Sequence, residues 1–232
     1  MPARGKIIVL EGIDGSGKRT QLELLARAFA ERGIAYEQIS FPRYEGFFGS
    51  LVAGYLNGEL GTLESVDPRF SALLYAGDRL EAKPRMEAAL AAGKMLLLDR
   101  YVASNLAHQG ARVPRERRED FLKWIAKLEY EIYTLPAEDI VVYLRVPADA
   151  AHQQVAAKGD REYTSRKRDI HEANVAHLAA AAEIYGSLAR SPNWATVECF
   201  DSKSVGLRAP VEIHGEVLAA VESGISTART AR

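Results

Sequence analysis

The stretch Lys6–Thr20, KIIVLEGIDGSGKRT, decides how this chain folds. Its apolar run, Ile7–Leu10, is typical of a short strand buried on both faces of a sheet. Glycines follow at positions 12, 15 and 17, and after Lys18 the apolar residues take a helical spacing that ends at Gly33. A strand, a glycine-rich loop, a lysine and a helix in this order predict a phosphate-binding loop at the start of an α/β domain.

The loop supplies a defined set of phosphate contacts. Its glycines let successive backbone N–H groups turn inward at the positive end of the helix, and Lys18 can reach the β- and γ-phosphates of a nucleotide. Arg19 stands where Ser or Thr usually holds Mg²⁺, so the first hydroxyl comes at Thr20. A glycine-rich turn with a solvated lysine is the disfavoured alternative, because strand, loop and helix agree. The residues expected to bind the nucleotide are Gly12, Ile13, Asp14, Gly15, Ser16, Gly17, Lys18, Arg19 and Thr20.

Composition indicates an ordinary globular protein. Of the 232 residues, 47% are hydrophobic and 26% charged, and the net charge of −1 implies neither wholesale nucleic-acid binding nor attachment to a membrane surface. Met1–Gly5 is too short and polar for a signal peptide, and no apolar run approaches the ~18 residues of a membrane helix. The single cysteine, Cys199, fits a reducing compartment. We therefore expect a cytoplasmic protein without nucleic-acid or membrane partners.

Strand and helix patterns alternate along the chain without an internal repeat or a linker. This alternation predicts a single α/β domain over residues 1–222, with a five-stranded parallel sheet flanked by helices on both faces. A helix that begins after Asp67 is expected to kink or break at Pro84, and an amphipathic helix is expected over residues 115–134. The tail, residues 223–232, is small and polar and is expected to be disordered. Predicted strands cover residues 7–10, 35–40, 94–100, 140–146 and 195–199.

Charged residues follow two of these strands at their carboxyl ends, where ligands bind in open α/β sheets. Asp99 ends an apolar strand, which is the placement of the acidic residue that steadies Mg²⁺ in phosphate-loop enzymes. Arg100 and Arg43 lie just past strand ends and could clamp a phosphate, although surface salt bridges are the alternative. Residues 158–168 are dense in Lys and Arg without apolar periodicity, and beside a phosphate-binding loop this favours a lid over the nucleotide rather than a solvated charge run or a nucleic-acid patch.

Several motifs occur in the order found in the thymidylate kinases, a family of P-loop nucleoside monophosphate kinases. After EGIDGSGK come FPRY, the segment Tyr75–Arg79, LDRYVASN, HQGAR and a basic stretch before Asp169. The loop alone indicates only a nucleotide-binding protein, whereas LDRYVASN with Tyr75 and Arg79 is far more specific. The chain thus resembles this family from residue 6 to about residue 200.

The resemblance implies the P-loop kinase fold with a basic lid, and ATP-dependent phosphorylation of dTMP to dTDP with Mg²⁺, in a homodimer. In this interpretation Asp14 faces the acceptor's sugar or a metal-bound water, and Asp14 and Asp99 are the metal candidates. Catalytic roles fall to Lys18, Arg100, Asp99, Asp14 and the lid residues Arg161 and Arg166. The acceptor is expected to contact Asp14, Phe41, Arg43, Tyr75, Arg79, Arg100, Asn105, His108 and Gln109. Of these, Tyr75, Arg79 and Asn105 are expected to face the base.

The sequence leaves some alternatives undecided. Tyr75 and Arg79 share a helix face and could stack on and hydrogen-bond a base, or form a surface cation–π pair. The family commonly has Phe at the position of Tyr75 and Tyr at that of His108. Two other functions compete: a kinase for another nucleoside monophosphate or a deoxynucleoside, and a non-catalytic nucleotide-binding protein that lost metal support at Arg19.

Overall fold

The computed structural model describes residues 4–157, 175–203 and 206–230. Five strands form one sheet in the order β2-β3-β1-β4-β5, and every neighbouring pair is parallel. The strands are β1 (Ile7–Glu11), β2 (Tyr36–Ser40), β3 (Met95–Asp99), β4 (Ile140–Arg145) and β5 (Trp194–Glu198), and β6 (Phe200–Asp201) pairs with β7 (Gly206–Leu207) as a short antiparallel ribbon. The predicted five-stranded parallel sheet is confirmed.

Helices cover both faces of this sheet. They are α1 (Lys18–Glu31), α2 (Phe47–Leu56), α3 (Pro68–Ala91), α4 (Val102–Gly110), α5 (Arg115–Ala126), a π-helix (Lys127–Ile132), α6 (Ala148–Ala157), α7 (Val175–Leu188) and α8 (Pro210–Thr230). No helix in the described ranges is both long and apolar enough to cross a bilayer.

Alternate residues of β1 separate the two main parts of the core. Ile8 and Leu10 pack with residues of α1, α7 and α8, whereas Ile7 and Val9 pack with residues of α3, α4 and α5. All four side chains are fully buried. The continuous apolar run follows from this, because a strand covered on both faces has no polar side.

The register of the sheet positions the functional residues. β1 lies between β3 and β4, and Leu10 is opposite Asp99. The loop that follows β1 and the residues that follow β3 therefore leave the sheet side by side. This edge is formed by the carboxyl ends of parallel strands, the usual place for ligands in such folds.

Three local expectations differ from the structure. α3 does not break at Pro84 but continues as one helix, because the flanking Ala82, Met86 and Ala89 are buried in the core and their packing outweighs the lost hydrogen bond. The helix predicted over 115–134 changes to a π-helix at Lys127. α8 extends past residue 223 to Thr230, so most of the tail that we expected to be disordered is helical.

Candidate functional site

The phosphate-binding loop joins β1 to α1, as the sequence predicts. Gly12, Gly15 and Gly17 all have positive φ values, of 149°, 85° and 89°. A Cβ at Gly15 would lie 2.4 Å from the carbonyl oxygen of Ala151, and one at Gly12 would lie 2.7 Å from that of Leu144. Both positions therefore require glycine for conformation and for space.

Lys18 lies inside the loop, and only 6% of its surface is exposed. Its Nζ donates hydrogen bonds to the carbonyl oxygens of Gly12 and Ile13, each at 2.9 Å. Burial, together with the nearby Arg100 guanidinium, lowers the pKa of Lys18 to about 8. The lysine is thus a poorly solvated cation whose charged form an incoming phosphate would stabilise.

Arg19 does not point into the loop. Its side chain is 82% exposed and forms an i,i+4 ion pair with Glu23, with Nε and Oε1 3.2 Å apart. The predicted contact of this side chain with nucleotide has no support in the geometry, since α1 carries it outward. Thr20, the next residue, is also exposed.

Arg100 and Asp14 meet where β1 and β3 end. Arg100 Nη2 lies 2.5 Å from Asp14 Oδ1, and Nη1 lies 3.3 Å from the carbonyl oxygen of Gly12. The structure thus joins two predicted catalytic residues directly. Arg100 also has a φ of 66°, a left-handed conformation that is unusual for a residue with a long side chain.

Glu11, which the sequence analysis did not single out, holds the start of α4 against this loop. Its fully buried carboxylate accepts hydrogen bonds from the backbone N–H groups of Tyr101 (2.8 Å) and Ser104 (3.1 Å). It also accepts from the hydroxyls of Ser104 (2.7 Å) and Tyr185 (2.9 Å). The sequence held one signal for this role, because an acid that directly continues a doubly buried strand must find partners inside the protein.

Asp99 is the best-placed metal candidate. Its Oδ1 is buried and has no hydrogen-bond partner in the described part of the chain. No group of three His, Cys, Asp or Glu residues in the described ranges could hold a metal ion by itself. Asp14, the other candidate, is engaged by Arg100.

Arg43, predicted to clamp the acceptor phosphate, is fixed against α3. Its backbone N–H donates to Asp78 Oδ2 at 2.8 Å and its Nε to Asp78 Oδ1 at 3.0 Å. Nη2 lies 3.6 Å from Glu81 Oε2. These carboxylates hold the guanidinium beside the carboxyl end of β2.

Arg79 and Asn105, predicted to contact a base, both contact Glu129 of the π-helix. Arg79 Nε and Nη2 lie 2.5 and 2.8 Å from its two carboxylate oxygens, and Asn105 Nδ2 lies 2.8 Å from Oε1. The exposed fractions of these three residues are 2%, 2% and 0%. The alternative of a surface cation–π pair with Tyr75 is therefore wrong for Arg79.

Glu129 was also missed in the sequence analysis. It lies on the apolar face of its helix, four residues after Ile125 and eight after Phe121, both of which are buried. A carboxylate on an apolar face indicates a buried cationic partner. The sequence could not tell that Arg79, 50 residues earlier, is that partner.

The two predicted aromatic contacts differ in exposure. Tyr75 is partly exposed, and its ring packs edge-on against Tyr55 at 6.4 Å between centroids. Phe41 is only 4% exposed and lies in the core against Tyr101, with ring centroids 6.0 Å apart. Tyr75 is thus the more accessible of the two aromatic rings.

His108 and Gln109 lie on the buried side of α4. Arg100 Nη1 is 3.4 Å from His108 Nε2, which brings the histidine next to the Asp14–Arg100 pair. Burial and the Arg100 guanidinium lower the pKa of His108 well below its usual range, and burial lowers that of its neighbour His177 to about 4. Gln109 Oε1 accepts hydrogen bonds from Ser71 at 2.8 Å and Arg112 at 2.9 Å.

A cavity of about 350 Å³ lies next to the carboxyl end of α4. Arg112, which lines this cavity, also donates to Gln109. Its lining residues are Leu63, Glu64, Pro68, Ala111, Arg112, Ala176 and His177. The predicted lid, residues 158–168 with Arg161 and Arg166, lies outside the described residues.

Comparisons with known proteins identify one family for this chain. The family model described as thymidylate kinase matches residues 10–199. The thymidylate kinase of Mycobacterium tuberculosis is 33% identical over 184 residues, 79% of this chain and 85% of the relative. The human thymidylate kinase is 30% identical over 229 residues, 97% of this chain and 93% of the relative.

A solved structure of thymidylate kinase from Candida albicans has the same fold. It aligns with a TM-score of 0.73 at 20% identity, covering 96% of this chain and 93% of that one. The family model and the two sequence relatives each extend over most of the chain. The chain belongs to the thymidylate kinase family.

Proposed function

We propose that this protein transfers the γ-phosphoryl group of ATP to the 5′-phosphate of dTMP, which yields ADP and dTDP. The observation that carries the proposal is the junction of Lys18, Asp14 and Arg100 where β1 and β3 end. One cation belongs to a phosphate-binding loop, and the other lies beside it, just past the end of the neighbouring strand β3. Family membership supports the choice of donor and acceptor.

On the donor side, Lys18 and the loop N–H groups bind the phosphates of ATP. In the structure Lys18 Nζ contacts its own loop carbonyls at 2.9 Å, and the anionic phosphates would replace these weaker partners. Glu11 keeps the following residues in place through its bonds to Tyr101 and Ser104. The loop and the start of α4 therefore act as one preorganised frame.

On the acceptor side, Arg43 and Arg100 bind the phosphate of dTMP, and Tyr75, Arg79 and Asn105 contact its base. Arg100 contacts Gly12 and Asp14 of the loop, which supports a role for it between the donor and acceptor phosphates. Phosphoryl transfer needs positioning and charge neutralisation more than covalent catalysis. Arg161 and Arg166 would add positive charge from the lid.

One carboxylate in the site, that of Asp99, is suited to binding Mg²⁺. Asp99 Oδ1 is a buried oxygen without a partner in the described chain, and carboxylate oxygens are the ligands that Mg²⁺ prefers. Asp99 would hold the ion, directly or through water, beside the phosphates of ATP. Such an ion would neutralise negative charge on the β- and γ-phosphates.

A coupled ADP-release assay tests the proposal. We expect dTMP-dependent ADP release with Mg²⁺ and much slower release with dCMP, dGMP or AMP. A higher kcat/KM for another monophosphate would favour the alternative kinase. Nucleotide binding without turnover of any acceptor would favour the non-catalytic alternative.

The assembly and the compartment belong to the same proposal. Phe70, Leu73 and Leu80 are 47%, 38% and 36% exposed and form one stripe on α3, which supports a homodimer through this helix. Sedimentation of the wild-type protein and of Leu73→Glu tests this, because the charge should produce monomers. The buried, unpaired Cys199 supports a reducing compartment such as the cytoplasm.

A further inference from the structure

Glu129 connects the two residues expected to read the base. Its Oε2 accepts a hydrogen bond from Arg79 Nε, and its Oε1 accepts from both Arg79 Nη2 (2.8 Å) and Asn105 Nδ2 (2.8 Å). Arg79 Nη1 does not contact Glu129. One buried carboxylate thus fixes the plane of a guanidinium and the position of a carboxamide.

The same contacts determine which way the Asn105 amide faces. Nδ2 donates to Glu129 Oε1 and to the carbonyl oxygen of Ala72 at 3.1 Å, and both of these oxygens can only accept. A flipped amide would place Oδ1 against two acceptors. Oδ1 therefore keeps the other side, where it is buried and has no hydrogen-bond partner in the described chain.

From this network we infer that Glu129 is a positioning residue that makes the enzyme selective for the hydrogen-bonding edge of thymine. It holds Asn105 as an acceptor and Arg79 as a donor. Thymine and uracil present an N3–H donor beside the O4 acceptor, which complements this pair. Cytosine presents the opposite pattern, an unprotonated N3 beside an amino group.

The inference rests on the proposed function and extends it from the residues that touch the base to one that does not. Oδ1 of Asn105 is closed off from solvent, so a base reaches it after a neighbouring side chain moves. A base with N3–H then satisfies an acceptor that otherwise has no partner, whereas cytosine leaves it unpaired. Discrimination comes from this difference, and Glu129 maintains it by preventing the amide flip.

Glu129→Gln tests the inference, because glutamine keeps the shape but replaces one acceptor oxygen with a donor. If the glutamine NH₂ group takes the place of Oε2, it faces the donor Arg79 Nε. If it takes the place of Oε1, it faces two donors, Arg79 Nη2 and Asn105 Nδ2. We expect the ratio of kcat/KM for dUMP over dCMP to fall by about tenfold or more, because the Asn105 amide can then flip and no longer discriminates between uracil and cytosine. The ratio for dTMP over dUMP, which reports only the methyl group, should stay within about twofold.

Two further variants complete the test. Glu129→Asp keeps the charge but withdraws the carboxylate by one methylene, so we expect a smaller fall in the same ratio. Glu138→Gln is the control, because its half-buried carboxylate accepts from Tyr130 at 2.9 Å and contacts neither Arg79 nor Asn105. It should leave both ratios unchanged.

A measurement on the wild-type protein applies even where the Glu129 variants do not fold. The chain has four asparagines, so selective ¹⁵N labelling gives few carboxamide signals. We expect the Asn105 amide protons to exchange with solvent at least about a hundredfold slower than those of an exposed asparagine. Exchange at the exposed rate would overturn the inference, because the amide would not be held.

The outcomes separate this inference from the proposed function. Absence of dTMP-dependent ADP release by the wild-type enzyme would contradict the proposed function itself. With the wild type active, an unchanged dUMP-over-dCMP ratio in Glu129→Gln would overturn only the role of Glu129. An equal loss of kcat/KM for all three substrates would do so too, because a merely structural residue changes no ratio.

Discussion

The hydroxyl of Tyr185 lies 2.9 Å from Oε2 of Glu11, which joins α7 to the end of β1 across 174 residues of sequence. Both side chains are fully buried. The same Glu11 oxygen accepts from Ser104 Oγ at 2.7 Å, so α4 belongs to this junction. The frame of the phosphate site therefore depends on a helix that the sequence alone does not connect to it.

Tyr185→Phe should destabilise the protein without changing its surface. A hydrogen bond to a charged group is worth roughly 1.5–3 kcal/mol, so we expect thermal unfolding to begin several degrees lower. Tyr143→Phe is the matched control, since Tyr143 stacks on Tyr185 at 5.3 Å but its hydroxyl lies 3.5 Å from a carbonyl oxygen. Equal melting temperatures for the two variants would contradict the role assigned to Glu11.

Lys18→Met should lower kcat by at least about a hundredfold, because it removes a cation that stabilises charge in the transition state. Lys18 is buried, and methionine preserves most of its volume. The folded fraction is checked by circular dichroism. Arg27→Met removes an exposed cation of the same helix and should keep kcat near the wild-type value. A Lys18→Met enzyme with most of its kcat would refute the assignment.

Binding of ATP should take up a proton at alkaline pH. The pKa of Lys18 in the free protein is lowered to about 8, so the lysine is mostly neutral at pH 9 and must be protonated to pair with phosphate. Calorimetry in two buffers with different ionisation enthalpies measures this uptake. We expect it to rise from near zero at pH 7 towards one proton at pH 9. Lys18→Met should show no such rise.

Asp99→Asn should raise the concentration of Mg²⁺ needed for half-maximal activity. The substitution removes the charge of the carboxylate whose Oδ1 has no partner in the described chain. Asp120→Asn, at an exposed position, serves as the control. Titration of Mg²⁺ at fixed ATP measures the effect, and undiminished turnover in EDTA would show that the reaction does not need the ion.

His108→Tyr should sharpen the preference for a deoxyribose over a ribose acceptor. His108 lies beside Arg100, and imidazole is shorter than phenol, so tyrosine would narrow the expected sugar site. The ratio of kcat/KM for dUMP over UMP measures this, and no change would place His108 away from the sugar. Burial keeps the pKa of His108 well below its usual range, so the wild-type pH–rate profile should lack a step from this residue near pH 6.5.

The sequence predicted the features that are local in the chain. The strand, loop and helix of Ile7–Glu31 follow from adjacent residues, and so do the central strands β1, β3 and β4, because each combines an apolar run with a boundary. The break expected at Pro84 is absent because of an effect that is not local. Burial of its helical neighbours is a tertiary effect that a local rule does not contain.

The partners of the site residues could not be predicted in the same way. Arg79 and Asn105 were expected at a base, but their pairing with Glu129 depends on how the π-helix packs against α3 and α4. The outward direction of Arg19 depends on the angle at which α1 leaves the loop. The sequence indicates which residues have suitable chemistry, whereas their pairing is decided by the three-dimensional packing.

The backbone of Arg100 is strained, and this strain affects which substitutions at position 100 can stabilise the protein. A left-handed conformation in a residue other than glycine costs about 1–3 kcal/mol, and Arg100 has a φ of 66°. Glycine at this position would relieve that strain but remove the guanidinium beside Asp14. Selection for heat resistance alone therefore has no clear gain from glycine at position 100, because relief of the backbone strain is offset by loss of the ion pair with Asp14.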